Sequence, residues 1–352
     1  MKQTVFAADR LVDFGQKLLV AGGMPDDDAN ISAVSLVASN LRGVDTHGVR
    51  FAPVYAGRMR SGTTNPAARV KIDRRGPSAL FVSGDNGEGH YVASLAMKET
   101  IEVAREQGAC ATVIRDTNHV GMLAYFVEMA SSQGLIGHAT TNGESYVAPT
   151  GGLTPILSTN PMAWAIPARE NPDIVVDMAT TTVANSKIVE AATRGENIPL
   201  TWGFDAEGKP TDDPVAVKSG GTLQPLGGYK GYALMLVADV LAGVMSGGPF
   251  STDLHALGDN HPQGIGMYVN VIDPGRFLNS EAFSRRVDDE IERLRGSELA
   301  EGVDRIRYPG ELESETRTHR SQHGVPISDE HMSVLNEGSM EFDVPMPEPL
   351  GA

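Results

Sequence analysis

The stretch that decides the fold runs from Ala79 to Arg115 and reads ALFVSGDNGEGHYVASLAMKETIEVAREQGACATVIR. Its two ends, residues 79–82 and 109–115, are apolar and strand-like, and its middle has helical spacing from about Tyr91 to Glu106. A glycine-rich turn, residues 84–89, joins the first strand to the helix. A second helix at about 119–132 and a strand at 135–141 continue the pattern. This β-α-β order predicts an α/β core with helices packed on a sheet.

The chain before this core is predicted to be helical over its first sixty residues. Apolar residues recur at helical spacing in two runs, and Gly22-Gly23 separates the first run from the second. The second run ends near Gly43, which suits the C-terminal cap of a helix.

The segment that follows this second helix, residues 41–50, reads LRGVDTHGVR. Histidine is the side chain best suited to move a proton near neutral pH, and arginine can hold a carboxylate by two parallel hydrogen bonds. Reduction of a 2-oxo acid needs a proton for the carbonyl oxygen, a group that binds the carboxylate, and a hydride. His47 and Arg50 can supply the first two. The structural alternative is a capped loop with a surface ion pair between Arg50 and Asp45 or Asp28, and the spacing does not choose between the two.

After the core, the chain is predicted to continue with alternating elements. We expect these elements in the order of a strand at 174–178, a helix at about 182–192, an apolar helix from about 228 to 247, a strand at 265–272 and a helix at 281–294. From about Gly310 the chain is polar, and one short helix is expected near Glu330. The loop from Gly151 to Pro161 is rich in glycine and proline, which predicts a functional loop or a structural crossover.

The composition limits the classes of function. The 352 residues include 41% hydrophobic and 21% charged residues, as in ordinary globular proteins, and the formal net charge of −16 is not that of a nucleic-acid-binding protein. Cys110, the single cysteine, excludes an intramolecular disulfide and is predicted to be a buried thiol. No signal-peptide pattern or apolar run of membrane-spanning length is recognised, so a cytoplasmic enzyme is expected.

Several short motifs could bind a nucleotide. Asn118-His119-Val120-Gly121 lies where a strand is predicted to give way to a helix, where backbone N–H groups bind phosphates, although Asn118 could be a simple N-cap. The segment 226–231 places a lysine among glycines but does not have P-loop spacing. Residues 84–89 do not match the Rossmann fingerprint, so a classical dinucleotide-binding fold is disfavoured.

The remaining histidines carry no clear metal site. His319 and His323 are four residues apart, which suits a metal only on a helix, and a solvated tail is favoured. His255 and His261 flank a turn-rich segment and show no usable pattern.

Six motifs in series resemble the second, non-Rossmann malate/L-lactate dehydrogenase family, which is related to ureidoglycolate, sulfolactate and diketogulonate oxidoreductases. The six motifs are Asp45-Thr46-His47-Gly48, Asn118-His119-Val120-Gly121, Ser158-Thr159-Asn160-Pro161, Asp177-Met178-Ala179-Thr180, Gly227-Gly228-Tyr229-Lys230-Gly231 and Tyr308-Pro309-Gly310-Glu311. The similarity extends over nearly the whole chain, to about Pro345. Each motif alone is weak, and the series is specific.

The resemblance implies a fold and an activity. It implies a non-Rossmann NAD(P)-binding α/β domain, with a mixed sheet flanked by helices, over residues 76–309. It implies a mainly helical domain over residues 1–75, joined by the C-terminal segment from about 310 to 352. The expected activity is an NAD(P)-dependent interconversion of a small anionic 2-oxo acid and a 2-hydroxy acid in a homodimer, with no nucleic-acid, membrane or metal partner.

The resemblance also implies roles for individual residues. His47 resembles the proton donor, with Thr46 beside it in a relay, and His119 competes with His47 for that role. Thr159 resembles a substrate or nicotinamide contact, and Arg50 is expected to bind the substrate carboxylate. The cofactor is expected to contact His119, Val120, Gly121, Met122, Leu123, Asp177, Met178, Ala179, Lys230, Gly231, Pro309, Gly310 and Glu311.

Two departures from the family's pattern and two alternative functions accompany this prediction. The substrate-binding arginine of several relatives lies four residues after the histidine, where this chain has Phe51, and Lys187 stands where imine reductases have an aspartate. The first alternative is a metal-dependent hydrolase with His47, Asp45 and His119 as ligands. The second is a non-catalytic protein that binds the nucleotide as a sensor.

Overall fold

The computed structural model describes residues 3–351. The α-helices are α1 Ala8–Ala21, α2 Asp26–Leu41, α3 Ala52–Arg60, α4 Gly89–Gln107, α5 Ala124–Ser131, α6 Asn185–Arg194, α7 Pro214–Lys218, α8 Tyr229–Ala242, α9 Ser280–Arg295, α10 Glu311–His323 and α11 Asp329–Phe342. The strands are β1 Gln3–Phe6, β2 Lys71–Gly76, β3 Ala79–Gly87, β4 Ala109–Thr117, β5 Ile136–Thr141, β6 Met162–Ile166, β7 Ile174–Met178, β8 Gly203–Phe204, β9 Pro210–Thr211, β10 Thr222–Leu223, β11 Ile265–Ile272 and β12 Val325–Ser328.

The centre of the fold is a seven-stranded sheet with the order β2-β3-β4-β11-β5-β6-β7. Strands β3 and β4 run parallel and are joined by α4, and each other neighbouring pair of this sheet is antiparallel. Helices α4 and α5 pack on the sheet over an apolar core that includes Val82, Met97, Ile114 and Phe126. The predicted β-α-β unit and the mixed sheet flanked by helices are confirmed.

In the turn between β3 and α4, a buried carboxylate occupies the N-terminus of the helix. The Glu88 side chain is buried and caps α4 by accepting a hydrogen bond from the Tyr91 N–H at 3.0 Å. A cofactor phosphate would otherwise take this place at the helix N-terminus. At the other end of α4, Gly108 adopts a φ of +91°, which glycine allows without strain.

A second apolar core joins the two ends of the chain. Strand β1 pairs with β12, and buried side chains from α1, α2 and α3 pack against Val325, Ile327 and Leu335 from the C-terminal segment. This arrangement fits a helical unit built from both termini. The predicted boundaries of that unit, at residue 75 and at about residue 310, stay a prediction.

The structure differs from the predicted secondary structure at four places. Helix α5 begins at Ala124 instead of His119, so His119 to Leu123 form a loop. The first sixty residues begin with a strand, β1, and β6 lies inside the glycine- and proline-rich middle of the chain. Helix α10, Glu311–His323, lies in the segment for which the sequence predicts an irregular polar tail. Strand β6 has only five residues and lies between two prolines, and α10 is almost wholly polar. Both therefore have too little apolar periodicity to be recognised in the sequence.

The apolar segment Tyr229–Ser246 also corrects an expectation. It is long and apolar enough to cross a membrane by length and composition, with a mean hydropathy of 1.2, and 39% of it is buried. The α-helical part ends at Ala242, and Gly243 separates it from a short 3-10 turn. The prediction that no apolar run reaches membrane-spanning length is therefore wrong.

Candidate active site

Two adjoining cavities lie between the helical unit and the sheet. The large cavity has a volume of about 640 Å³ and the small cavity about 270 Å³. Both are lined by His47, Gly121, Thr159, Pro161 and Ala184. The histidine motif and the glycine-proline loop, which are more than a hundred residues apart in the chain, therefore meet where the two cavities join.

His47 is held by a short 3-10 turn, Asp45–His47, that follows α2. The Asp45 carboxylate accepts hydrogen bonds from Asn40 Nδ2 at 2.7 Å and from the Arg320 guanidinium at 2.7 and 3.0 Å. Within the turn, Thr46 Oγ1 lies 2.9 Å from His47 Nδ1. The hydroxyl thus engages one ring nitrogen and leaves Nε2 for a ligand.

His119 reaches the small cavity from the loop after β4. Asn118 anchors this loop, because its Nδ2 donates to the Gly87 carbonyl at 2.9 Å, and the His119 N–H donates to Gln263 Oε1 at 3.0 Å. The Tyr55 hydroxyl lies 2.6 Å from His119 Nδ1. Asn118 is therefore not an N-cap. The prediction that a helix begins at this motif is wrong, because residues 119–123 form a loop and α5 begins at Ala124.

The two histidines form a pair whose environment keeps both rings neutral. Their ring centroids are 5.8 Å apart, and each ring has a hydroxyl at Nδ1. Burial, with the positive charge of Arg50, lowers the pKa of His47 to about 4. Burial also lowers the pKa of His119 well below its ordinary value. At neutral pH both rings are therefore uncharged.

The Tyr55 hydroxyl assigns the tautomer of His119. Burial raises the pKa of Tyr55 well above its ordinary value, so the phenol keeps its proton. Among the described residues, His119 Nδ1 is the hydrogen-bond partner of this hydroxyl. The phenol therefore donates to Nδ1, and neutral His119 carries its own proton on Nε2.

A buried acid–imidazole pair lies behind the cavity wall at Gly121. His90 Nδ1 is 2.7 Å from Glu88 Oε1, and the Ser32 hydroxyl donates to the same carboxylate. Burial by itself raises the pKa of Glu88, but His90 and the hydrogen bonds bring it below its ordinary value. A Cβ on Gly121, whose φ is +64°, would lie 2.5 Å from His90 Nε2, so only glycine fits here.

Arg50 does not line either cavity. Its Nη1 lies 3.2 Å from His331 Nε2, and its guanidinium packs over the Phe51 ring. The alternative of a surface ion pair between Arg50 and Asp45 or Asp28 is wrong, because Asp45 pairs with Arg320. The role of Arg50 as a substrate clamp stays a prediction, and it requires the guanidinium to leave His331.

Most residues predicted to contact the cofactor line the large cavity. These residues are Gly121, Met122, Asp177, Met178, Ala179, Pro309 and Gly310. The Asp177 carboxylate accepts a hydrogen bond from the Ala124 N–H at 2.7 Å and thereby caps α5. Burial raises the pKa of Asp177 to about 6, although this hydrogen bond opposes the rise. Arg307 and Glu313 also line this cavity, as does Arg42, which is ion-paired with Glu128 at 2.7 Å.

The other predicted contacts lie elsewhere. Val120 and His119 line the small cavity, and Leu123 lines neither cavity. Glu311 is buried in an ion pair with Arg295 at 2.6 Å. Lys230 is exposed. Gly231 packs against the backbone of Leu226 and Thr180, because a Cβ there would lie 2.5 Å from the Leu226 nitrogen and 2.7 Å from the Thr180 carbonyl oxygen. All of the predicted cofactor contacts, including those that line a cavity, stay predictions.

Some residues of the site gave no signal in the sequence. Tyr55, Gln263 and Glu144 come from α3 and from two separate loops. The first turn of α6 also reaches the small cavity with Asn185 and Ser186. Only the tertiary structure brings these residues to the histidines, since none lies within a recognisable motif.

The structure gives no support to a metal centre. Within residues 3–351, no group of three or more His, Cys, Asp or Glu side chains could hold a metal ion. Asp45, a ligand in the hydrolase alternative, is engaged by Arg320. His319 and His323 lie on α10 with their rings stacked 4.3 Å apart, so they are helical and not part of an irregular tail. Cys110 is buried, as predicted.

Comparisons with known proteins agree with this geometry. The chain is 35% identical over 336 residues to a malate dehydrogenase from Pyrococcus horikoshii, which covers 94% of this chain and 93% of that protein. It is 33% identical over 321 residues to a ureidoglycolate dehydrogenase (NAD(+)) from Escherichia coli O157:H7, with 91% of each covered. The solved structure of a sulfolactate dehydrogenase from Methanocaldococcus jannaschii matches with a TM-score of 0.90 and 32% identity, over 97% of this chain and 98% of that one.

The fold and these relatives define an oxidoreductase of the NAD-dependent 2-hydroxy acid dehydrogenase class. A family model described as malate/L-lactate dehydrogenase matches residues 6–336. The chain belongs to this family, and the resemblance found in the sequence is confirmed.

Proposed function

We propose that the protein interconverts a small 2-oxo acid and the corresponding 2-hydroxy acid, with NAD or NADP as the cofactor. The observation that carries the proposal is the junction of the two cavities at His47. A large cavity lined by the predicted cofactor contacts opens there into a small cavity that holds both histidines. Such a junction is the place where a nicotinamide ring and a substrate carbon would have to meet.

The large cavity suits a dinucleotide in size and chemistry. Its wall combines apolar residues such as Val44 and Val175 with the Arg307 guanidinium and with Gly121 and Met122. When bound, the nicotinamide cofactor supplies or accepts the hydride. Reduction consumes the 2-oxo acid, one hydride and one proton. Oxidation of the hydroxy acid returns the hydride to the cofactor and releases the proton.

His47 is the better placed of the two histidines for the proton. It lines both cavities, whereas His119 lines only the small one. In oxidation, neutral His47 takes the hydroxyl proton on Nε2, and the Thr46 hydroxyl holds Nδ1. His119, with its proton on Nε2, hydrogen-bonds the same substrate oxygen and holds it in place.

The substrate carboxylate is proposed to bind at the first turn of α6. This helix begins at Asn185 without a side-chain cap, and the buried Ser186 hydroxyl oxygen has no partner among the described residues. Free backbone N–H groups and the helix dipole favour an anion at this end. Thr159, on the opposite loop of the same cavity, is proposed as a further polar contact.

The first experiment follows the absorbance of NADH and NADPH with the purified protein and a panel of 2-oxo acids. Oxidation of either cofactor identifies the reaction, the preferred cofactor and the substrate group. Binding of cofactor without turnover across the panel would favour the sensor alternative. No binding and no turnover would contradict the proposal.

Substitution of the histidines tests the assignment of the proton donor. His47→Ala should lower turnover by about 10²–10⁴-fold, the usual contribution of a placed general acid or base, while cofactor binding is retained. His319→Ala, on the exposed face of α10, is the matched control and should leave turnover unchanged. Full activity of His47→Ala together with an inactive His119→Ala would reverse the assignment.

We also propose that the protein is a homodimer. Helix α8 and the turn after it expose an apolar face, with Leu236 at 45%, Val237 at 51%, Val240 at 43% and Val244 at 48% exposure. An exposed apolar face of this kind commonly marks a protein interface. A second copy of the chain would cover it, in keeping with the homodimers that the family resemblance implies.

A further inference from the structure

The small cavity carries one carboxylate and no cation. Of its described lining residues, Glu144 is the only one with an acidic or basic side chain other than the two neutral histidines. The cavity otherwise has polar neutral groups, such as Asn142, Asn185 and Gln263, and apolar ones. The charge in this cavity is therefore set by Glu144.

The Glu144 carboxylate is fixed at the cavity wall by a long loop. Its Oε2 accepts a hydrogen bond from the Leu257 N–H at 3.1 Å. Arg58, which is buried, anchors the same loop by donating to the carbonyl oxygens of Leu257 at 2.7 Å and His261 at 2.8 Å. The other oxygen, Oε1, has no hydrogen-bond or ion-pair partner among the described residues and is not enclosed by protein atoms.

The surroundings of Glu144 do not offset its charge. Arg50 is directed to His331, and the charged residue that acts on the pKa of Glu144 is another acid, Asp259. Burial, followed by this neighbouring acid, raises the pKa of Glu144, and the Leu257 N–H opposes the rise. A second acid group on a substrate would meet repulsion here, whereas an N–H group would find a free acceptor.

We propose that Glu144 makes this enzyme select 2-oxo and 2-hydroxy acids whose side chain donates a hydrogen bond from nitrogen, in preference to those with a second acid group. This inference rests on the proposed function and adds the class of side chain. This selectivity follows from the cavity wall, because the free oxygen of Glu144 accepts a hydrogen bond from an N–H group and repels a carboxylate or sulfonate.

Oxaloacetate and 2-oxosuccinamate provide the test, because they have nearly the same shape and differ in a distal carboxylate or carboxamide. The wild-type protein should have a kcat/KM for the amide that exceeds that for oxaloacetate by about 10-fold or more, as a site built around an unpaired acceptor implies. Glu144→Gln should reduce this ratio by about 10-fold, mainly through faster turnover of oxaloacetate. Asp253→Asn, an exposed acid on the same loop, should leave the ratio unchanged.

A wild-type preference for oxaloacetate, or an unchanged ratio in Glu144→Gln, would overturn the role of Glu144. Turnover of 2-oxobutyrate, which has an uncharged side chain, tests the proposed function separately. If no 2-oxo acid is turned over, calorimetric titration with malate and 2-hydroxysuccinamate decides the inference by binding alone. Tighter binding of malate by the wild-type protein would then contradict it.

Discussion

At the scale of single residues, the orientation of the two histidine rings depends on the hydroxyl group that contacts Nδ1 of each ring. Thr46 and Tyr55 supply hydroxyls at 2.9 and 2.6 Å, so both rings direct Nε2 toward a ligand. Because burial lowers both pKa values, the protein without ligand starts with two neutral imidazoles. In the proposed mechanism, neutral His47 can act at once as the base in oxidation, whereas reduction requires His47 to take up a proton from solution first.

This difference predicts opposite pH dependences for the two directions. With a His47 pKa of about 4, kcat/KM for oxidation should be level between about pH 6 and 8, because the base is already neutral. Over the same range kcat/KM for reduction should fall about tenfold per pH unit, because the protonated fraction falls by that factor. Initial rates in both directions at constant ionic strength check this. A reduction rate that is level across this range would contradict it.

At the scale of elements, the sequence predicts the regular parts of the core better than the parts that carry the site. Strands β7 and β11 have the predicted bounds, Ile174–Met178 and Ile265–Ile272, because apolar runs bounded by turns are local signals. The sequence predicts that α5 begins at about His119, five residues before its observed start at Ala124. Its cap is the Asp177 carboxylate, which belongs to β7 and is more than fifty residues away in sequence, so no local pattern marks it.

This cap leads to a prediction about stability. The folded-state pKa of Asp177, about 6, lies above its ordinary value of 3.8. The folded protein therefore binds the proton more tightly than the unfolded chain, and this residue costs stability as pH rises through that interval. Asp177→Asn keeps an oxygen that can accept the Ala124 N–H. It should raise the free energy of unfolding by up to about 3 kcal/mol at pH 7.5.

The gain from Asp177→Asn should nearly vanish at about pH 4, where the native carboxyl is protonated in the folded state. Denaturant unfolding at both pH values measures it, with Asp304→Asn, an exposed acid, as the control. Loss of stability at pH 7.5 would mean that the charged carboxylate contributes more to the cap than its burial costs. Since Asp177 lines the large cavity, the same variant should bind the cofactor less tightly.

At the scale of the whole molecule, two apolar cores frame the cavities, one under the sheet and one joining the chain ends. His47 comes from the second core's helices and His119 from a strand end of the first. Their relative position thus depends on how the helical unit packs on the sheet. The Tyr55–His119 hydrogen bond is a direct link between the two units.

The exposed face of α8 carries the prediction at this scale. Val237→Asp places a charge in that face and should convert a dimer to a monomer, since an unpaired charge is costly in an apolar interface. Sedimentation velocity of the wild-type protein and the variant measures this. Val215→Asp, an equally exposed position on α7, is the control and should remain dimeric. A monomeric wild-type protein, or one that instead binds lipid vesicles through α8, would contradict the proposal.

The β-α-β unit, the family and the motifs that meet at the cavities can all be predicted from the sequence, because they are properties of neighbouring residues. The tertiary structure alone decided the insertion of β11 between β4 and β5, the pairing of β1 with β12 and the position of Arg50 against His331. It also decided that Glu144 and Tyr55 face the site. These contacts join residues far apart in the chain, and their free energy depends on packing that no local pattern encodes.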